Sequence, residues 1–219
     1  VLNSVLSLEK YSKKFEISLI NVFGEWNEKK NLLKKKNIKI EKLSFLNINL
    51  PIIGYFKSRV YYFLIFIINF FPFLKLLNNK KPDFLIIHLL TSLPLILLFL
   101  FNFKTKFILR ISGLPRLKNI RLLLWKLTLK KINLVTCPTI ATREYIQKLN
   151  IIPKEKILLL YDPVISTKEI QERKKKPLKN FLLNDYYISI GRLTKQKNFI
   201  LLVNAFKDFN QNKNYKLII

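Results

Sequence analysis

One stretch of this 219-residue sequence has residue types at a spacing that could do chemistry: Gly191-Arg192-Leu193-Thr194-Lys195-Gln196-Lys197-Asn198-Phe199. The apolar run before it, residues 186–190, reads as a strand, and residues 198–209 read as a helix. Gly191 lets the backbone turn sharply or come close to a ligand. Arg192 then stands at the carboxyl end of the strand, where open α/β sheets bind ligands. Lys197 sits just ahead of the helix, whose first turn offers free N–H groups and a partial positive charge. The arginine, the lysine and the helix N-terminus could converge on one anionic group. A diphosphate leaving group suits them, because breaking a sugar–phosphate bond develops negative charge that fixed cations stabilise. The same residues also fit a solvated basic loop before an amphipathic helix, and they form neither a Walker loop nor Gly-x-Gly-x-x-Gly.

Other reactive residue types are sparse. His88 is the only histidine and Cys137 the only cysteine. An internal disulfide and a Cys/His zinc site are therefore excluded. A Ser-His-Asp triad would rest on His88 alone, and no Gly-x-Ser-x-Gly elbow is present. Cys137 ends the apolar run 132–137 and reads as a small buried residue rather than a nucleophile. One cysteine fits a reducing, cytoplasmic compartment.

Lys and Arg number 40 against 13 Asp and Glu, a formal charge of +27. Such a balance points to a polyanion: nucleic acid, an anionic membrane face or a phosphorylated ligand. The cations are mostly Lys, however, spread along the whole chain among Asn, Ile, Leu and Phe. That pattern reads as a compositional bias of the coding sequence and a Lys-coated surface more than as a nucleic-acid face. The chain has no methionine and opens and closes inside apolar patterns. It reads as an internal piece of a longer protein, so the lack of a visible signal peptide carries no information.

The elements that must position these residues alternate. Strands are expected over 15–22, 38–45, 84–88, 106–112, 132–137 and 157–161. Helices are expected over 1–8, 59–77, 93–101, 117–130 and 139–149. Strands that are apolar throughout, separated by helices, predict an α/β fold with a parallel sheet covered by helices on both faces. Residues 60–74 and 84–103 lack charge, and the second run is long enough to span a bilayer, so a polytopic membrane protein is the rival reading. The second run divides internally into a strand, a turn at Thr91-Ser92 and a short helix that Ser92 can cap and Pro94 can enter. The first carries Asn69 and Pro72 and reads as an interfacial or buried helix. Residues 165–185 are polar, contain Arg173-Lys174-Lys175-Lys176 and read as a linker. A new unit starts at 186, with Asn198 as the helix cap, Phe199, Leu202, Val203, Phe206 and Phe209 on one helix face, and a further strand over 215–219.

Residues 187–199, followed by Ala205-Phe206, resemble the start of the C-terminal domain of the group 1 (family 4) glycosyltransferases. Lys81-Pro82-Asp83 before the strand ending at His88 resembles the same family. So do Arg110-Ile111-Ser112-Gly113-Leu114-Pro115, Thr136-Cys137-Pro138-Thr139 and Leu160-Tyr161-Asp162-Pro163-Val164, in the family's order. The resemblance implies a GT-B fold: two Rossmann-like domains with parallel sheets, here residues 1–164 and a truncated second domain from 186. It implies transfer of a sugar from a nucleotide-diphosphate donor, with retention at the anomeric carbon and no required metal or cofactor. It places the donor diphosphate on Gly191, Arg192 and Lys197, Gly113 in a cleft-facing loop, and His88 near donor sugar and acceptor. His88 also fits a satisfied core histidine, Gly113 fits a turn, and Arg110 is read as structural.

The family's first strand with its Gly-rich loop, and the later Glu-x7-Glu motif, have no counterpart in these residues. The chain alone is therefore expected to be inactive, with a poorly folded C-terminal part. The acceptor expected is a glycan or lipid-linked glycan in cell-envelope polysaccharide synthesis. The expected location is cytoplasmic, with peripheral contact at an anionic membrane face. A basic nucleic-acid-binding module is the third reading; no helix-turn-helix signal, zinc finger or aromatic RNA motif supports it.

Overall fold

The computed structural model describes residues 1–12, 14–22, 24–43, 55–88, 91–115, 117, 119–162, 167–176 and 185–219, with backbone alone for 55–59 and 61. Residues 44–45 of the expected second strand, Pro163 and Val164, and residues 165–166 and 177–184 of the expected linker lie outside the described residues. The chain forms two compact units, Val1–Val164 and Ile165–Ile219.

The first unit opens with helix α1 (Leu2–Tyr11), strand β1 (Ser18–Asn21), helix α2 (Lys30–Lys35) and strand β2 (Lys39–Lys42). β1 and β2 pair in parallel, Leu19 opposite Ile40. Leu19, Leu33 and Ile38 form a small core against which Leu2, Val5 and Leu6 pack. The short α2 was not expected; its run Lys34-Lys35-Lys36 shows little apolar periodicity, and only Leu33 of the helix is buried.

The long helix α3 (Tyr55–Lys80) leads to strand β3 (Phe84–Ile87), then α4 (Ser92–Leu100), β4 (Lys106–Arg110), α5 (Asn119–Thr128), β5 (Leu134–Cys137), α6 (Ile140–Lys148) and β6 (Ile157–Leu159). The four strands form one parallel sheet in the order β3-β4-β5-β6. Residues 84–103 are thus a four-residue strand and a nine-residue helix, about 13 Å long and far short of the ~30 Å a bilayer needs. This removes the second of the two spans that the membrane reading required.

Strand alternation separates two faces. Leu85, Ile87, Phe107, Leu109, Val135 and Cys137 are buried in one core. Phe73 and Leu77 of α3, Leu95 and Leu97 of α4, Trp125 of α5 and Ile146 of α6 complete it. The opposite face is also apolar, but Phe84, Ile86 and Leu158 are about half exposed. Coverage of both faces was expected; among the described residues the second face is covered in part, with Arg110 and Thr136 buried on its central strands and Phe84, Ile86 and Leu158 of the outer strands half exposed.

Two helix starts differ from expectation. α4 begins one residue earlier, at Ser92, and the capping position falls to Thr91, whose side chain makes no capping bond. Asn198 precedes its helix in the left-handed region, φ 48°, again without a side-chain cap. The α6 start is the built one: Thr139 accepts from the Thr142 N–H at 3.1 Å.

The second unit contains helix α7 (Thr167–Lys174), strand β7 (Tyr186–Ile188), helix α8 (Phe199–Phe209) and strand β8 (Lys216–Ile218). α7 lies in the stretch read as linker and buries no residue, as its polar sequence requires. β7 and β8 pair in parallel, Tyr187 opposite Leu217. Tyr187 makes edge contacts with Phe206, Phe209 and Tyr215, centroids 5.5–5.8 Å apart, and this aromatic cluster is the unit's core. Phe199, Leu202 and Phe206 are half-buried, while Val203 and Phe209, expected on the same face, are more exposed at its margin.

Candidate functional site

The carboxyl ends of β3 to β6 gather the reactive side chains of the first unit. Parallel strands bring their carboxyl ends to one edge, where residues just past each strand escape ladder pairing and can face a ligand. Arg110 is the last residue of β4 and is buried. Its Nε donates to Asp162 Oδ1 at 3.1 Å, and Nη2 pairs with the same oxygen. Nη2 also donates to the Leu160 carbonyl at 3.2 Å, and Nη1 to Thr136 Oγ1 at 3.4 Å. One guanidinium therefore ties β4 to β5 and to the segment leaving β6. A buried cation is tolerated when it is both paired and hydrogen-bonded, and this one is.

His88 follows β3 and is half-buried. Burial is the largest influence on its imidazole. The Arg110 guanidinium acts in the same direction, and Asp162 opposes it. The result is a pKa pushed down to about 4. At neutral pH the ring is uncharged, with one nitrogen free to donate and the other to accept. Such a ring can hold a hydroxyl group but cannot offer a cation to a phosphate.

Gly113, in the loop after β4, has no positive φ, and a Cβ built on it meets nothing within 4 Å. The loop's own shape does not demand glycine there. Cys137 ends β5 and is buried; burial pushes its thiol pKa up, against the pull of Arg143 and Arg110. It behaves as a small core residue, not as a nucleophile.

The second unit carries the basic loop. A Cβ on Gly191 would meet the Phe199 ring at 3.2 Å and Lys197 Cδ at 3.7 Å, while its φ is not positive. A side chain here would press on the Phe199 ring at the start of α8, which would have to shift by a few tenths of an ångström; the sharp turn that glycine's freedom would allow is not used. The Lys197 stem consequently lies beside the residue preceding Arg192. Backbone bonds from Thr194 N–H to the Arg192 carbonyl at 2.7 Å and from Lys197 N–H to the Thr194 carbonyl at 2.9 Å fold the loop back on itself. Arg192 and Lys197 are exposed, and no acidic residue lies in the first turn of α8. Loop and helix N-terminus together form a cationic corner at the carboxyl end of β7.

The expected residues thus fall into two groups: His88 and Gly113 at the strand ends of the first unit, Gly191, Arg192 and Lys197 at those of the second. Sequence reasoning did not single out Asp162 and Thr136. The available signal was positional: Thr136 stands opposite Arg110 in the next strand, and Asp162 follows the apolar run of β6. Among the described residues, no group of three or more His, Cys, Asp or Glu side chains could hold a metal ion.

No protein-family model and no curated protein matches the sequence. Solved structures do match. A glycosyltransferase from Rickettsia africae ESF-5 is similar with a TM-score of 0.59 and 14% identity, over 99% of this chain and 55% of the other. HepE (Alr3699) from Anabaena, in complex with UDP and glucose, is similar with a TM-score of 0.52 and 13% identity, over 99% and 56%. The chain spans about half the length of these structures. Its mixed α/β fold with parallel sheets is the fold of that half.

Proposed function

We propose that the protein is a nucleotide-sugar-dependent glycosyltransferase of the GT-B kind, akin to the group 1 (family 4) enzymes. The observation that carries this reading is the cationic corner at Gly191, Arg192 and Lys197, placed at a strand end in a chain with the fold of glycosyltransferase structures. Arg192, Lys197 and the first N–H groups of α8 bind the donor diphosphate and stabilise the charge that develops as the sugar–phosphate bond breaks. Gly191 lets this corner form. Neutral His88 hydrogen-bonds a hydroxyl of donor sugar or acceptor, and the open space at Gly113 admits the ligand beside it. The donor is a substrate, and no cofactor or metal is required. Transfer proceeds with retention, to a glycan or lipid-linked acceptor of the cell envelope, with the protein at the inner face of the cytoplasmic membrane. The activity belongs to the whole protein, because this chain spans about half the length of the similar structures.

Calorimetric titration of the protein with UDP, GDP and ADP tests the donor side. At least one nucleotide is expected to bind. Arg192→Ala and Lys197→Ala should each weaken it by about 1–3 kcal/mol, the worth of a charge-assisted hydrogen bond. Binding by none of them, or binding indifferent to both substitutions, would return the loop to an ordinary basic surface.

A further inference from the structure

Helix α3 has two opposed stripes. Ile65, Asn69, Phe73 and Leu77, four residues apart, are buried, and Phe73 and Leu77 belong to the core cluster around the sheet. Phe63, Ile67 and Phe71 repeat at the same interval on the other side and are exposed, Phe71 to 75%. The helix is long and apolar enough to cross a membrane, yet its inner stripe belongs to the core of an α/β unit. Packing of Phe73 and Leu77 into that core suits a helix that lies on an apolar phase rather than one that passes through it. α4 packs against both α3 and α5, so the three form one helical layer. α5 repeats the pattern: Trp125 is buried, while Ile120, Leu123 and Leu127 are exposed, Ile120 to 84%.

The charge around this layer has one sign. Neither α3, α4 nor α5 contains an acidic residue, and Asp83 is the only one between Glu41 and Glu144. Lys75, Arg121, Lys126 and Lys130 on these helices and the turn after α5 are exposed. We propose that the outer face of the α3–α5 layer docks on an anionic lipid bilayer, with Phe63, Ile67, Phe71, Ile120 and Leu123 entering the headgroup boundary and the cations pairing with lipid phosphates. Water leaves two exposed stripes of large apolar side chains uncompensated; a bilayer surface satisfies both the stripes and the surrounding charge. An acidic protein partner would satisfy the charge but would not require so many aliphatic and aromatic side chains with no acidic neighbour. This surface deepens the lipid-linked acceptor reading above and rests on it only for its purpose, since docking is measured without donor or acceptor.

Flotation with vesicles of equal parts phosphatidylcholine and phosphatidylglycerol, against phosphatidylcholine alone, is the test. The protein is expected to float with the anionic vesicles and to be released by alkaline carbonate. The combined Phe63→Ser, Ile67→Ser, Phe71→Ser variant alters only exposed positions and should keep its circular dichroism spectrum while binding roughly tenfold or more weakly. A Phe71→Trp variant should show an added blue-shifted emission with vesicles, quenched by brominated lipid. Unchanged affinity of the triple variant, a tryptophan at 71 that stays solvent-exposed on vesicles, or resistance to carbonate would each overturn the proposal. None of these results bears on donor turnover, so the two readings fail separately.

Discussion

Two charged or chargeable side chains at the strand ends of the first unit have opposite fates. Arg110 is held as a permanent cation by Asp162, Leu160 and Thr136, whereas His88 is held neutral by burial and by neighbouring positive charge. The sole histidine gives an unobstructed readout. Its ring signals should titrate near pH 4 rather than 6.5 in a proton NMR experiment, and a midpoint above 6 would refute its placement. The linkage has a definite sign. The folded pKa lies below the unfolded one, so the stabilisation from neutral His88 is complete above about pH 6.5 and is lost as pH falls toward 4. A His88→Gln variant should lack this part of the acid slope in denaturant melts. Arg110→Met should cost about 1–3 kcal/mol in the same melts, less than a fully buried pair would, because Asp162 stays partly in water while a strand end is unpinned. Adding Asp162→Asn should recover part of that loss. The basic loop at Gly191, Arg192 and Lys197 could be picked out in the sequence because its members lie within one short segment, 191–197. The Arg110–Asp162 pair was not, because its members are far apart in the chain and meet only when β4 and β6 flank β5.

Among the elements, legibility followed apolar periodicity. The α/β alternation of the first unit was readable because β3 to β6 sit in largely apolar runs, while β1 and β2 lie in stretches where apolar and polar residues are mixed. The ends were not, because side-chain pattern does not show where ladder hydrogen bonds stop: the expected strand 106–112 ends at Arg110, where the guanidinium turns to Asp162. Helix caps failed for a related reason. In a chain with four glycines, Asn37, Asn119, Asn150 and Asn198 take the left-handed conformation, so asparagine serves here as a turn residue more than as a cap. Asn150, φ 48°, just beyond α6, is the simplest case. Asn150→Gly should be neutral or stabilising by up to about 1 kcal/mol, whereas Asn150→Val should destabilise by a similar amount or more. Inside α3, Asn69 is buried and its Nδ2 donates to the Ile65 carbonyl at 2.8 Å, but Oδ1 has no partner among the described residues. Asn69→Leu, similar in volume, should raise the chemical midpoint of unfolding, by about 1 kcal/mol in stability. A drop would mean that the amide has a partner of its own.

For the whole molecule, the two units differ in what they bury. The first has a continuous core from α3 to β6 with many side chains fully excluded from water. In the second, no described residue is buried, and Ile190 is 90% exposed. Amide hydrogen exchange should be slowest in β4 and β5 and fast throughout β7, α8 and β8. Equal protection in the two units would contradict this. The central claim, that the protein moves a sugar from a nucleotide-diphosphate donor, is tested most directly by turnover. The whole protein should be supplied with a panel of nucleotide-sugars and extracted membrane lipid, with release of nucleoside diphosphate measured alongside Arg192→Ala and Lys197→Ala. Release with at least one donor, reduced by about tenfold or more in each variant, is the expected result. No release from any donor by well-folded protein, or release that both substitutions leave unchanged, would contradict it.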